Sequence, residues 1–197
     1  MERADAAGGL SMDADLELVG KARDGDVEAF EALVQRHQHR LVHFARLMVS
    51  NPSDAEDVAQ ETLLRAYRAL GQFRGQSAFR TWLYQIATNV ARTHLAKRRD
   101  RNEVQESEGA EGTTGDHGRE HASGDDVEQR VIAHDQLRRA LADLPGDWRE
   151  AVVLRDIEGL DYKDIAALLG IPMGTVESRI FRGRQRLKAT LKGATHD

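Results

Sequence analysis

Apolar residues recur at helical spacing, three and four positions apart, in each patterned segment of the chain, and this predicts helices separated by short breaks. The first begins near Asp13 and pauses at Asp24-Gly25. Asp26 then caps a long helix whose apolar stripe is Phe30, Leu33, Val34, Leu41, Phe44, Ala45 and Met48. Asn51-Pro52 interrupts it. Ser53-Asp-Ala-Glu56 reads as a capping box opening a third helix that runs to about Leu70, with Ala55, Val58, Ala59, Thr62, Leu63, Ala66 and Leu70 turned inward. A loop with two glycines, Gly71 to Phe79, leads to a fourth helix capped by Ser77 and ending in Lys97-Arg98-Arg99. The pattern lapses after Arg101. It resumes at Val127 with Val131, Ile132, Leu137, Leu141 and Leu144, breaks at Pro145, and continues through Trp148, Val152, Val153 and Leu154.

The last patterned stretch, Leu160 to Leu187, is the most informative. Asp161 caps a short helix, Asp164 occupies its third position, and Leu160 and Ile165 close a hydrophobic staple over the cap. Ile165, Ala166, Leu168 and Leu169 form its buried face, and Gly170 stops it where a left-handed residue costs least. Pro172 suits the opening of a second helix, because its ring fixes a helical backbone angle and its missing N–H was unpaired anyway. Val176, Ile180, Leu187 and Leu191 face inward, while Thr175, Ser178, Arg179, Arg182 and Arg186 share the opposite face. This is a helix-turn-helix whose second helix carries hydroxyls and arginines in one stripe, as a helix needs in order to hold phosphates and reach base edges in a major groove.

Composition describes a water-soluble globular protein, with 40% hydrophobic and 31% charged residues in 197. The absence of cysteine excludes disulfides and thiolate metal sites. No apolar run approaches the roughly 20 residues that span a bilayer, and the amino terminus lacks a signal-peptide layout, so a cytoplasmic protein without membrane insertion is expected. A net charge of −5 argues at first against a nucleic-acid partner, but the charge is segregated. Nine acids face two bases between Arg101 and Glu128, a local −7, whereas six bases face Glu177 alone between Gly170 and Lys192, a local +5. The acidic stretch has too little apolar surface to offset ordering entropy and reads as a domain linker. Fully extended, its 28 residues span about 90–100 Å, against about 34 Å for one duplex turn.

The predicted fold class is therefore all-α: two small helical domains joined by a flexible acidic linker. The expected boundaries are a disordered start over 1–12, a first domain over 13–100, a linker over 101–126, a second domain over 127–192 and a tail over 193–197.

Three clusters invite chemistry. Of His37, His39 and His43, the last two lie one turn apart but have no third ligand at a supporting spacing, so they read as surface histidines and no metal or other cofactor is expected. Asp54, Glu56, Asp57 and Glu61 fall within eight residues and resemble a two-metal hydrolase cluster. Helix N-termini favour acids through the dipole, however, and Asp57, Gln60, Glu61 and Arg65 form one outer face suited to docking. Around the glycine loop, Phe73, Phe79, Trp82 and Tyr84 are four of the chain's ten aromatics. Interleaved with Asn89 and Arg92, they suit stacking of an unpaired base. Burial in a small core is the competing account for Phe79 and Trp82, and fits Phe73 less readily because it sits between glycines.

Taken together, Asp54-Ala-Glu-Asp-Val-Ala-Gln-Glu61, Ala66-Tyr-Arg-Ala-Leu70, Phe73-Arg-Gly, Ser77-Ala-Phe-Arg-Thr-Trp-Leu-Tyr84, Ile86-Ala-Thr-Asn89, Leu144-Pro and Gly174-Thr-Val-Glu-Ser-Arg-Ile-Phe-Arg182 resemble a bacterial sigma factor of the extracytoplasmic-function class, close to the sigma-E-like type. The resemblance covers about residues 13–100 and 127–192.

It implies a non-catalytic, stress-response transcription initiation factor with an anti-sigma partner, whose first domain is sigma region 2 and whose second is region 4. Asp57, Gln60, Glu61 and Arg65 match the helix that docks on the clamp helices of RNA polymerase core. Ala69, Phe73, Arg74, Phe79, Trp82, Ile86, Asn89 and Arg92 match the part that captures and melts single-stranded promoter −10 DNA, with Phe73 in the base pocket. Thr175, Glu177, Ser178, Arg179, Phe181, Arg182 and Arg186 match the helix that reads −35 duplex. Glu177 departs from the sigma-E pattern, which has arginine there; a carboxylate repels phosphate and instead suits a cytosine amino group. Two other readings compete: a stand-alone helix-turn-helix regulator, which gives no role to Phe73 and Trp82, and a metal-dependent phosphohydrolase built on Asp54, Asp57 and Glu61.

Overall fold

The computed structural model of the chain describes residues 15–49, 51–107 and 125–193. The expected disordered start and tail, the centre of the linker, and the side chains of Val131 and Ile132 lie outside what it describes. Helices α1 (15–23), α2 (Val27–Met48), α3 (Pro52–Ala69) and α4 (Phe79–Ser107) form the first group, with a 3-10 turn at Leu70–Gln72 before the glycine loop. Helices α5 (Asp125–Ala142), α6 (Gly146–Val152), α7 (Tyr162–Leu169) and α8 (Met173–Gly193) form the second, with a π-helical turn over Val153–Ile157. No strand occurs among the described residues.

Local signals account for some helix ends and not others. Asp26 accepts from the Ala29 N–H at 3.0 Å, as its capping role requires. The start of α3 differs from expectation: Asn51, not Ser53, is the cap and accepts from the Ser53 and Asp54 N–H groups, because Pro52 fills the first helical position. Ser77 does not cap α4 either; its hydroxyl donates to the Ala78 carbonyl, and the helix starts at Phe79. At its other end α4 continues past Arg99 to Ser107, into the expected linker, and α5 begins at Asp125. The polar sequence there is rich in helix formers, and charge alone did not stop the helix.

The core of the first group is Leu33, Leu41, Phe44, Val58, Leu83 and Tyr84, with Phe44 and Tyr84 rings 5.0 Å apart. His37 is buried rather than a surface histidine; its Nε2 lies 2.9 Å from the Asp15 carboxylate and ties α1 to α2. In the second group Leu141, Leu154, Ile165, Val176 and Ile180 are buried. Gly170 ends α7 in the left-handed region at φ +67, which a Cβ would resist. Asp161 precedes α7 in extended conformation, but its carboxylate lies 3.3 Å from Arg155 instead of on a helix N–H. Gly183 permits a close crossing: a Cβ there would lie 2.5 Å from Val152 Cγ2 on α6.

The two groups touch. Arg92 on α4 makes a two-pronged bond to Glu150 on α6, its Nε at 2.7 Å. The Tyr84 hydroxyl donates to Glu158. Arg149 donates to the Met48 carbonyl at 2.8 Å and also to the carbonyls of Ala142 and Leu144, closing the end of α5.

Candidate functional site

Three surfaces carry the predicted residues. On α3, Asp57, Gln60 and Arg65 are exposed and Glu61 is partly so. Arg65 Nε lies 2.7 Å from Glu61, and that bond holds the Glu61 carboxyl below the usual carboxylate range. Leu64 and Tyr67, each about half exposed, lie on the same helix, with Tyr67 edge-on to Phe30 at 4.9 Å. Sequence reasoning missed both. The available signal was a leucine and a tyrosine three residues apart at positions outside the buried stripe. The face is therefore mixed, an apolar strip beside a charged one, as docking surfaces are.

Asp54 belongs elsewhere. It lies 3.0 Å from Arg98 and 3.3 Å from His94 on α4, so it fastens α3 to α4. With Asp54 held by Arg98 and Glu61 by Arg65, the carboxylates do not converge, and no cluster of three metal-ligating side chains occurs among the described residues.

Around the glycine loop, Phe73, Phe79 and Trp82 form one aromatic cluster with centroid separations of 5.1–5.9 Å, and His37 adds a fourth ring 5.4 Å from Phe79. Here the sequence expectation needs correcting. Phe73 is 4% exposed and Phe79 3%, so both are core residues under the loop and neither presents a free face for stacking. The neighbouring glycines had suggested a solvent position, but the 3-10 turn, closed by the Phe73 N–H on the Leu70 carbonyl, drives the ring inward. Gly75 at φ +68 lets the chain leave the turn. Outside remain Arg74 and Asn89, both exposed, with Trp82, Ile86 and Ala69 half-buried. The Arg92 side chain is 40% exposed and occupied by Glu150, whose hydrogen bonds raise the guanidinium's pKa.

On α8 the stripe falls as predicted. Val176 and Ile180 are buried, while Glu177, Phe181, Arg182 and Arg186 are exposed and Thr175, Ser178 and Arg179 are intermediate. Phe181 is 61% exposed, large for a phenylalanine with only a packing role. The arginines divide by partner. Arg179 pairs with Asp147 at 2.6 Å and Arg184 with Asp156, whose hydrogen bonds raise the Arg184 pKa. Arg182 and Arg186 border a groove formed with Trp148 and Pro145.

Comparison with known proteins gives the following. Residues 33–101 match the family model for Sigma-70 region 2, and residues 134–187 that for Sigma-70, region 4. The chain is similar to the RNA polymerase sigma-H factor of Pseudomonas aeruginosa, 41% identical over 93% of this chain and 96% of that one. It is also similar to the ECF RNA polymerase sigma-E factor of Haemophilus influenzae, 40% identical over 88% and 93%. Among solved structures, the sigma factor RpoE in complex with the anti-sigma factor NepR from Bartonella quintana aligns with a TM-score of 0.66 at 31% identity, covering 84% of this chain and 98% of that one.

Proposed function

The chain belongs to the extracytoplasmic-function class of the sigma-70 family of RNA polymerase sigma factors, and from that membership we propose how its surfaces divide the work of transcription initiation. It is an alternative sigma factor, directing RNA polymerase core to promoters. The α3 face of Asp57, Gln60, Glu61 and Arg65, extended by Leu64 and Tyr67, docks on core. The Thr175–Arg186 face of α8 reads the −35 duplex. The exposed rim of the glycine loop and α4, namely Arg74, Trp82, Ile86 and Asn89 with Arg92, holds single-stranded −10 DNA.

Phe73 and Phe79 support that rim from beneath instead of stacking on bases. Region 2 corresponds to 13–100 and region 4 to 127–192, with the acidic stretch between them setting their reach. An anti-sigma factor is the expected regulator, as for the Bartonella relative solved with one. The site of action is the cytoplasm, and among the described residues no helix is long and apolar enough to cross a membrane. We assign no catalysis to the acidic residues of α3, because Asp54 and Glu61 already hold cationic partners.

The observation that carries this reading is the exposed, arginine-bearing face of α8, set after a left-handed turn at Gly170 and preceded in the chain by a region 2 match. Run-off transcription with core polymerase tests it. Specific transcripts that depend on the added chain, and disappear with Arg182→Ala together with Arg186→Ala, are expected. Core association without any promoter-directed transcript would overturn the assignment.

A further inference from the structure

Helix α1 buries a carboxylate that none of the three surfaces uses. Asp15, 5% exposed, opens the helix, and α2 takes both of its oxygens: Oδ2 lies 2.9 Å from His37 Nε2, and Oδ1 accepts from Arg36 at 3.2 Å. An ionised carboxylate only accepts, so Nε2 is the donor and the bond fixes the orientation of the imidazole. That ring packs against Phe79, and Phe79 in turn meets Phe73 at 5.9 Å and Trp82 at 5.7 Å. A chain of contacts therefore runs from α1 through His37 to the two phenylalanines beneath the glycine loop and on to Trp82 at its rim. Helix α1 also reaches the loop directly, since Leu16 Cδ2 would lie 3.8 Å from a Cβ at Gly75.

Both routes depend on the Asp15 pair. Helix α1 spans only residues 15–23, and isolated helices shorter than about 12–15 residues are marginal in water. Its place is set by what it buries, namely Val19 and Ala22 along its length and Asp15 at its start, next to Leu16. A buried carboxylate in turn needs its partners in place. On the inner route, Phe79 and Trp82 come from α4 whereas His37 comes from α2, so the imidazole is where α2 supports the floor of the loop.

We propose that Asp15 and His37 are positioning residues for the single-stranded DNA site: the carboxylate clamps the imidazole against Phe79, and α1 thereby seats the glycine loop with Arg74 and Trp82 ready for an unpaired strand. The consequence for DNA rests on the −10 reading of that rim; the coupling of α1 to the loop does not. Neither side chain touches the strand. A seated loop binds without first being ordered, and when the clamp is lost the apparent affinity falls by the fraction of chains still seated.

Asp15→Ala removes the clamp, whereas Asp15→Asn keeps an acceptor for His37. The chain has two tryptophans, so in a Trp148→Phe background the emission of Trp82 alone reports the loop. Acrylamide quenching of Trp82 should strengthen in Asp15→Ala and return close to wild type in Asp15→Asn, at unchanged helix content. With core polymerase and the template that gives the wild-type run-off transcript, Asp15→Ala should bind core as the wild type does. Its yield of open complex should fall about tenfold, as expected when about one loop in ten is seated. Leu16→Ala, at an exposed position, should move both readouts the same way by less, and it decides the matter if Asp15→Ala loses helix content.

Wild-type quenching in these variants, or a loss of core binding equal to the loss of open complex, overturns the positioning role. Asp15→Asn indistinguishable from Asp15→Ala overturns the clamp on His37. If Trp82 responds as expected but the wild type yields no promoter-directed transcript, the coupling of α1 to the loop stands and the −10 assignment falls.

Discussion

Replacing Gly183 with alanine adds one methyl group where α8 crosses α6, and the structure sets both its cost and its remedy. The new Cβ would lie 2.5 Å from Val152 Cγ2 and 3.5 Å from the Trp148 carbonyl oxygen. Val152 is buried, and its branched side chain has no flexible end to move aside. Overpacking of this kind costs about 1–3 kcal/mol. Alanine in a helix interior recovers about 0.8–1.0 kcal/mol relative to glycine. The net expectation is a loss of about 1 kcal/mol. In a Val152→Ala background the colliding atom is gone, so the same Gly183→Ala change should stabilise by about 1 kcal/mol, the helix-propensity gain alone. Its sign inverts, and the coupling between the two sites is about 2 kcal/mol, a size typical of residues in contact. Urea unfolding of the four chains of the cycle, followed by Trp148 fluorescence in a Trp82→Phe background, measures it. Equal effects of Gly183→Ala in both backgrounds would refute the close crossing.

Phe73→Ala should cost about 3–5 kcal/mol in urea unfolding, because it empties a buried aromatic site; a loss below about 1 kcal/mol would restore Phe73 as an exposed stacking residue. Burial and the Glu158 carboxylate push the Tyr84 hydroxyl well above the usual tyrosine range, while Arg80 and Arg40 oppose the shift. The folded state is therefore fully favoured below about pH 10 and loses about 1.4 kcal/mol per pH unit above it. Absorbance titration of the wild type minus Tyr84→Phe should show no ionisation near pH 10 until near-ultraviolet dichroism is lost, and ordinary titration in the native state would contradict this. Glu177→Arg should strengthen promoter-duplex binding and steepen the slope of log affinity against log salt by about 0.9 for one added phosphate contact; an unchanged slope would place residue 177 away from the backbone.

The α7-turn-α8 segment was legible because its determinants are local. Gly170 needs only its own backbone angle, and the α8 stripe needs only the helical repeat. The outer face of α3, proposed for docking, was half legible, since charge marks an outer face but nothing in the periodicity says that Leu64 and Tyr67 stay uncovered. Phe73 was misjudged because neighbouring glycines describe the chain, whereas its burial depends on Phe79 and Trp82 arriving from α4. Asn51 was overlooked as a cap because proline reads first as a break, although at the first helical position it is a start. The seam was invisible for a different reason. Its partners are 58 and 74 residues apart, and no local pattern marks Arg92 or Tyr84 as belonging to Glu150 and Glu158.

Charge segregation, which first pointed to nucleic acid, takes on a finer meaning in three dimensions. The bases of α8 are not equivalent. Arg184 is pinned to Asp156 and serves the packing of region 4, whereas Arg182 and Arg186 stand at the edge of the helix beside Trp148. Arg179 lies between these cases, since under the proposed reading a duplex competes with Asp147 for it. Arg92 repeats that situation on α4 with Glu150 as the competitor. In both units, then, an intramolecular carboxylate occupies an arginine that the proposed reading assigns to DNA. Binding replaces one anion by another rather than creating an ion pair afresh, so part of the attraction to phosphate is already satisfied in the free chain. That exchange weakens the affinity of the isolated protein for duplex. It does so most where several phosphates must be engaged at once, as they are when polymerase holds the two units on one promoter.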